Sequence, residues 1–458
     1  MSILFALQRK QWLGQIVSVR LVSLALLTTV IPFEVLSTPA LAIPPAASVN
    51  TKVNVPNTMS YWPFNISRYL KVPPNFSISV YARIREARFI AVAPNGNLLV
   101  SQPSTGKVLI VRANGSKDPI ISDFVTGLRR PHDIVFHTIN NTTYIYISEN
   151  NQINRFIYKS GDITAHNRQV VVAGLPDGSR SELKGAYAHE LKNIALDTNH
   201  KLYVSIASAC NACVADTVSN PRRGAIYQYN ADGSNPRLFA QGLRNAEGLA
   251  FLPGTNDLWV GVNNRDEITY PFKDATNNYG KIIPSYVDNH PAEEFTRVRD
   301  GGNYGWPFCN PNPDTASRFY YMPFDRDSKL NADGNVNCNA MDKIIRGIQA
   351  HSAPLGLTFL QNTKFPSLYS NGVVLGLHGS WNRQPKSGYV GYKIAYFPWD
   401  STTKIPGDQI DLVSGWTLPV TEKYWGRPVD TAVDQQGNLL ISDDYSGTIY
   451  KLSYNRSR

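Results

Sequence analysis

Seven residues carry the two side-chain chemistries that a site for a polar or anionic molecule needs: His132, His189 and His378, then Arg244, Arg383 and Arg427, with Asn245 directly after the first arginine. An imidazole titrates at about pH 6.5 and can accept a proton from a hydroxyl near neutrality. A guanidinium keeps its charge and offers a planar two-donor edge, which suits a carboxylate or a developing oxyanion. Each of the seven follows a turn or opens an apolar run. Any one of them alone would be a surface or structural hydrogen-bonding group. The set becomes a site only if the fold gathers them on one axis.

Two further groups invite chemistry. Cys210, Cys213, Cys309 and Cys338 form an even set, compatible with two disulfides among three connectivities, and the expected pairs are Cys210–Cys213 and Cys309–Cys338. Cys210-Asn211-Ala212-Cys213 has the spacing of a redox motif or half a zinc site. No second pair at zinc spacing and no thioredoxin-like context accompanies it, so a structural staple is expected. Cys213 is followed by Val214, so the chain lacks a haem-attachment Cys-X-X-Cys-His.

The elements that must position these residues read as strands. After the first 42 residues helical periodicity is nearly absent, and short runs of Val, Ile, Tyr and Leu alternate with Gly, Asn, Asp and Pro clusters. Residues 89–101, FIAVAPNGNLLVS, return near the end as residues 430–442, DTAVDQQGNLLIS. The same grammar recurs at 134–148, 194–206, 248–262 and 357–377, with a degenerate copy around 295–306. About six units of short antiparallel strands predict an all-β, six-bladed β-propeller, since a lone blade cannot bury both faces. Two packed β-sandwiches are the alternative. Residues 208–222 and 265–350 exceed hairpin loops, hold the cysteine pairs, and are expected to shape one mouth of the central channel.

Arg9, Lys10 and Arg20, the apolar stretch Leu21–Ile31 and Ala40-Leu41-Ala42 read as a secretory signal over residues 1–42, followed by a lead-in at 43–70 and the propeller at 71–455. A periplasmic or secreted protein is therefore expected, without an integral membrane span once the signal is removed. An uncleaved amino-terminal anchor is the alternative. The formal charge of +10 loses three basic residues and one acidic residue with the signal, which leaves about +8. No run of five basic residues occurs, so the charge reads as a solvated basic surface or a site for an anionic cofactor, and nucleic acid is not an expected partner.

Two segments carry a resemblance. Gly242-Leu243-Arg244-Asn245-Ala246-Glu247-Gly248-Leu249-Ala250-Phe251 and Asp300-Gly301-Gly302-Asn303-Tyr304-Gly305-Trp306-Pro307 are similar to motifs of the soluble quinoprotein glucose dehydrogenases and the L-sorbosone dehydrogenase-like proteins. Gly426-Arg427-Pro428-Val429-Asp430 and His378-Gly379-Ser380-Trp381-Asn382-Arg383 look closer to the sorbosone branch, and the resemblance spans roughly residues 70–455. It implies a dehydrogenase that uses pyrroloquinoline quinone (PQQ) and Ca2+ to oxidise a sugar or related alcohol or aldehyde, and that passes electrons to an external acceptor. His189 would be the catalytic base and Arg244 the charge that stabilises the reduced cofactor. Asn245, Arg427, His378, Arg383 and His132 would be cofactor contacts, with calcium near Asn263 and Asn264 in the segment 261–267.

The chain departs from that pattern at three places. Ser208 stands where the glucose enzymes orient the histidine with an acid, so Glu190 or another residue must take that role. Val429 replaces a carboxylate-binding arginine. The cofactor lysine has no clear match, with Lys386, His378 or Arg383 as substitutes. Two rival readings follow: a calcium-dependent lactonase-type hydrolase built on Asn245, Asn263 and Glu149, and a non-enzymatic propeller that binds carbohydrate or protein. Oligomeric state is not legible.

Overall fold

The alternation read from the sequence becomes alternation in space. In the strand Phe76–Arg83 every second side chain is buried and its neighbours are half-buried, the two-residue period of a sheet with one covered face. The computed structural model describes residues 43–380, 382–384, 387–418 and 423–455, so the expected signal at 1–42, Trp381 and Lys386 lie outside the described residues.

Consecutive strands pair antiparallel into separate sheets. The first comprises Ile90–Val92, Leu98–Gln102, Lys107–Asn114 and Lys117–Val125. The next starts at Ile134–Ile139 and the third at Ile194–Leu196, which also takes up Gly302–Asn303 in parallel with Arg237–Gln241. Further sheets start at Asn245–Phe251, Pro354–Phe359 and Pro428–Val433. The sheet starting at Pro354–Phe359 is widened by two strands from the amino-terminal side, Tyr69–Val72 and Val49–Lys52.

The starting strands touch one another in order, from Ile90–Val92 through Ile134–Ile139, Ile194–Leu196, Asn245–Phe251 and Pro354–Phe359 to Pro428–Val433, and this last strand touches Ile90–Val92 again. The sheets therefore close into a ring, the architecture of an all-β propeller and not of two stacked sandwiches. Phe76–Arg83 pairs with Thr448–Tyr454, in register from Phe76↔Tyr454, so one sheet is built from distant parts of the chain and latches the ring.

A Ser repeated near the end of four of the second strands, Ser101, Ser148, Ser205 and Ser442, explains part of the sequence grammar. The hydroxyls of Ser148, Ser205 and Ser442 donate to the main-chain oxygens of Lys192, Ala246 and Arg88, each lying just before or within the inner strand of the next sheet. Asp133 and Asp430 cross the same seams, accepting from the main-chain N–H of Ile194 and Ile90. These bonds satisfy buried polar groups where sheets meet. The Asn-Gly turn of the first unit needs the positive φ of Gly96, +88°, which glycine adopts without a Cβ penalty.

Both expected cysteine pairs are bonded, Cys210–Cys213 and Cys309–Cys338.

Candidate active site

A cavity of about 560 Å3 opens at the axis of the ring. That is within the usual range for small-molecule and cofactor pockets. His189, Arg244, Asn245, His378 and Arg427 all line it, although they come from four separate stretches of chain. The reason is topological: each lies in, or just before, an inner strand, or just after a second strand, and these ends converge on the axis.

His189 is oriented by Ser208. Its Nδ1 lies 2.9 Å from the Ser208 main-chain oxygen and 3.0 Å from the Ser208 hydroxyl. A carbonyl only accepts, so Nδ1 carries the proton and Nε2 is left as the basic nitrogen. Glu190 does not orient His189: its carboxylate is engaged by Arg130, Asn150 and the Gly178 N–H. Burial, and then the nearby charge of Arg244, push His189 down to about 4. The ring is thus neutral at pH 7, well below its ordinary titration.

Arg244 is held by a residue that sequence reading passed over. Asn211 sits between the two bonded cysteines, accepts from Arg244 Nε through its main-chain oxygen at 3.2 Å and from Arg244 Nη2 through Oδ1 at 3.2 Å. Asn211 in turn donates to the Asp266 carbonyl, accepts from the Asp266 N–H, and its carbonyl receives Trp306 Nε1. Trp306 belongs to the Gly-Gly-Asn-Tyr-Gly-Trp-Pro segment, so that segment supports the site from behind. Asp266 completes the setting, with Oδ2 3.3 Å from Arg244 and Oδ1 3.5 Å from His351 Nδ1. Burial would raise the Asp266 carboxyl, but the His351 contact and the Arg244 charge hold it below its ordinary value.

The opposite wall is basic. Arg427 donates from Nε and Nη2 to the main-chain oxygens of His378 and Gly379, and among the described residues it makes no ion pair. His378 Nε2 is 2.9 Å from Asp444 Oδ1, and Asp444 also takes Arg88 at 2.6 Å. Arg88 and Arg130 both line the cavity, and neither was singled out from the sequence. The signal for Arg130 was present: Arg130-Pro131-His132-Asp133 repeats Arg427-Pro428-Val429-Asp430.

Two expected cofactor contacts lie outside the cavity lining. His132 is fully buried and does not line the cavity; its ring packs on Phe89, with centroids 4.3 Å apart, and its Nε2 faces Glu247 at 3.4 Å. It supports Glu247, which lines the cavity and accepts from Asn245. Burial would raise Glu247, but the His132 hydrogen bond and charge bring it down to about 2. Arg383 also misses the cavity, its guanidinium being used on the carbonyls of Gly388, Asp288 and Ser387. Val429 joins Phe89 and Leu355 in a small apolar cluster.

Asn263 and Asn264 line the cavity, but the side-chain oxygen of Asn264 accepts the Arg265 N–H, and its amide donates to Ala292 and Glu294. Among the described residues no three His, Cys, Asp or Glu side chains gather as a metal cluster. Glu149, the acid of the lactonase reading, lies outside the cavity lining and is bound by Arg168 and Asn154.

Fold and site together define a β-propeller whose axial cavity joins a neutral histidine to several arginines. The chain belongs to the TrAA12-like family, whose model matches residues 70–455. It is 26% identical over 401 residues to an uncharacterized protein of Borreliella burgdorferi, covering 85% of this chain and 92% of that one. It is 23% identical over 430 residues to a pyrroloquinoline quinone-dependent pyranose dehydrogenase of Coprinopsis cinerea, covering 84% of this chain and 54% of that protein, so it spans about half that relative's length. The holo pyranose dehydrogenase PQQ domain from Coprinopsis cinerea superposes with a TM-score of 0.67 at 20% identity, over 84% of this chain and 97% of the domain. That likeness supports the shared fold.

Proposed function

We propose that this chain is a quinoprotein dehydrogenase that binds PQQ in the axial cavity and oxidises a sugar or related alcohol or aldehyde. The observation that carries the reading is His189: a cavity-lining imidazole, kept neutral by burial and by Arg244, with its tautomer set by the Ser208 carbonyl. That is a general base for a hydroxyl proton. Both catalytic assignments, His189 and Arg244, rest on this arrangement.

The donors present suit a tricyclic tri-acid. Arg427 has a charge without a carboxylate partner among the described residues, and the buried Nε of Arg88 has no hydrogen-bond partner. Arg427 and Arg88 would hold carboxylates, His378 and Asn245 would border the ring system, and Arg244 would meet the oxygen that gains negative charge. When bound, PQQ supplies a two-electron acceptor. The protein's own part is to place the substrate hydroxyl at His189 Nε2, keep that nitrogen unprotonated, and offset the developing charge through Arg244.

Calcium belongs to the same proposal only as a component of the assay. The Asn264 side chain is already satisfied, so no ligand set is assigned to Asn263 and Asn264. We read the ring as six blades, one for each starting strand, and residues 1–42 as an export signal that delivers a periplasmic or secreted enzyme with an external electron acceptor. Among the described residues no helix is long and apolar enough to cross a membrane.

The test is direct. The mature protein is incubated with PQQ, with and without Ca2+, and dye reduction is followed over a panel of aldoses, alditols and sugar aldehydes. Saturable quinone binding with sugar-dependent turnover is the expected result. Quinone-independent lactone hydrolysis, or sugar binding without turnover, would overturn it in favour of the hydrolase or the binding propeller.

A further inference from the structure

The wall of the cavity continues outward as a row of aromatic rings. The Arg427 guanidinium lies 5.7 Å from the ring centre of Tyr392 and 5.6 Å from that of Tyr424. Tyr424 meets Tyr445 at 4.8 Å between centroids, and Tyr445 meets Trp62 at 5.7 Å. Tyr389 packs against both Tyr392 and Tyr424, at 5.5 and 6.0 Å. The row starts buried at Tyr392 and ends in solvent, with Tyr389 41%, Tyr445 45% and Trp62 50% exposed.

Isolated exposed aromatics need no explanation, but a contiguous exposed set marks a binding surface. These rings come from distant parts of the chain and most meet edge to face, and Tyr389, Tyr445 and Trp62 each remain more than a third exposed. Flat aromatic faces interrupted by phenolic hydroxyls match the two surfaces of a pyranose, an apolar C–H face and a polar rim. Successive ring centres 4.8 and 5.7 Å apart are comparable with the repeat of linked pyranose units. The row begins beside Arg427, which lines the cavity, so a chain whose end enters the cavity would lie along it.

We propose that Tyr424, Tyr389, Tyr445 and Trp62 form an extended subsite for a neutral oligosaccharide, with the terminal sugar in the axial cavity and the following units stacked outside. The inference rests on the dehydrogenase reading for what happens to the terminal sugar, but the binding itself does not require the quinone.

The experiment therefore uses quinone-free protein. Cellohexaose, maltohexaose and glucose are titrated by calorimetry into the parent, Trp62→Ala and Tyr445→Ala, and Tyr445→Trp tests whether a different aromatic restores binding. At least one hexasaccharide is expected to bind the parent tenfold or more tighter than glucose, the alanine variants to lose most of that gain, and Tyr445→Trp to keep it. With PQQ present, turnover of any monosaccharide substrate is expected to change less than twofold in the alanine variants. Equal affinity of the parent for hexasaccharides and glucose would overturn the subsite. So would unchanged hexasaccharide binding in both alanine variants, including the case where they slow only reduction of a protein electron acceptor. Tight hexasaccharide binding without turnover of any sugar would sustain the subsite while removing the dehydrogenase reading.

Discussion

His189 Nδ1 and the main-chain oxygen of Ser208 lie 2.9 Å apart, so the basic nitrogen of this histidine is selected by backbone and not by a carboxylate. A carbonyl orients the ring without adding negative charge beside it. That is consistent with an imidazole held down to about 4, where a neighbouring acid would have raised it.

The first consequence concerns pH. In the proposed mechanism the active form is the neutral imidazole, present above its pKa, so kcat/KM with excess quinone should be level from about pH 5.5 upward on its acid side and fall as pH drops through about 4. His189→Ala should lower turnover by about 10^2- to 10^4-fold, the usual contribution of a positioned base. A loss smaller than tenfold in steady-state dye reduction means that another group takes the proton.

Arg244 should reveal itself twice. Arg244→Ala is expected to cost about 10^2- to 10^3-fold in kcat with a smaller change in sugar affinity, as for loss of an oxyanion donor. Because the Arg244 charge helps depress His189, the same variant should move the acid limb of the pH profile upward. An unmoved limb would separate the two residues.

Asn211 is a positioning residue in this scheme, touching Arg244 with both its carbonyl and its side chain. Asn211→Ala keeps the main-chain contact and loses the Oδ1 contact, so kcat should fall about tenfold, and the acid limb should shift in the same direction as in Arg244→Ala but by less. A purely structural role would lower the amount of active protein and leave the limb in place, which active-site titration with quinone distinguishes.

Arg427→Gln removes a cavity charge without disturbing an ion pair. Quinone affinity measured by fluorescence should weaken by roughly 30-fold, about 2 kcal/mol for a lost charge-assisted bond, while thermal stability of the quinone-free protein changes little. Unchanged quinone affinity would leave the carboxylate-holding role without support.

Stability should also respond to pH through the seam. Burial pushes Asp430 up to about 8, and the charge of Asp133 adds to the rise. A carboxyl whose folded pKa is raised favours folding at low pH and loses that contribution as pH climbs from its ordinary range through the folded value. The midpoint of thermal unfolding should therefore drop between pH 5 and pH 8, and Asp430→Asn should flatten that drop. Scanning calorimetry of the two proteins that gives parallel slopes would rule out this source.

Much of the fold was legible because a propeller repeats itself. The Asn-Gly and Gln-Gly turns, the closing Ser and the two-residue alternation recur, and each has a local physical cause. The cavity lining was legible where a residue precedes an inner strand, as with His189, Arg244 and Arg427. It was not legible at His132, which occupies the third place of the same Arg-Pro-X-Asp motif as Val429. That place points beneath the cavity, where Phe89 receives either a ring or a methyl-bearing side chain. Arg383 was misread because the carbonyls that absorb its charge come from loops whose approach no local pattern announces. Asn211 lay within a flagged loop, but its partners Asp266 and Trp306 are 55 and 95 residues away.

The latch between Phe76–Arg83 and Thr448–Tyr454 makes the site hostage to the last closure step. Arg88 and Asp444, whose carboxylate also fixes His378, stand 356 positions apart and become neighbours where that latch joins the two chain regions. A nascent or clipped chain with an open seam would retain most of its sheets and still have no basic wall. Spectroscopic recovery of β-structure during refolding should therefore run ahead of the ability to retain quinone.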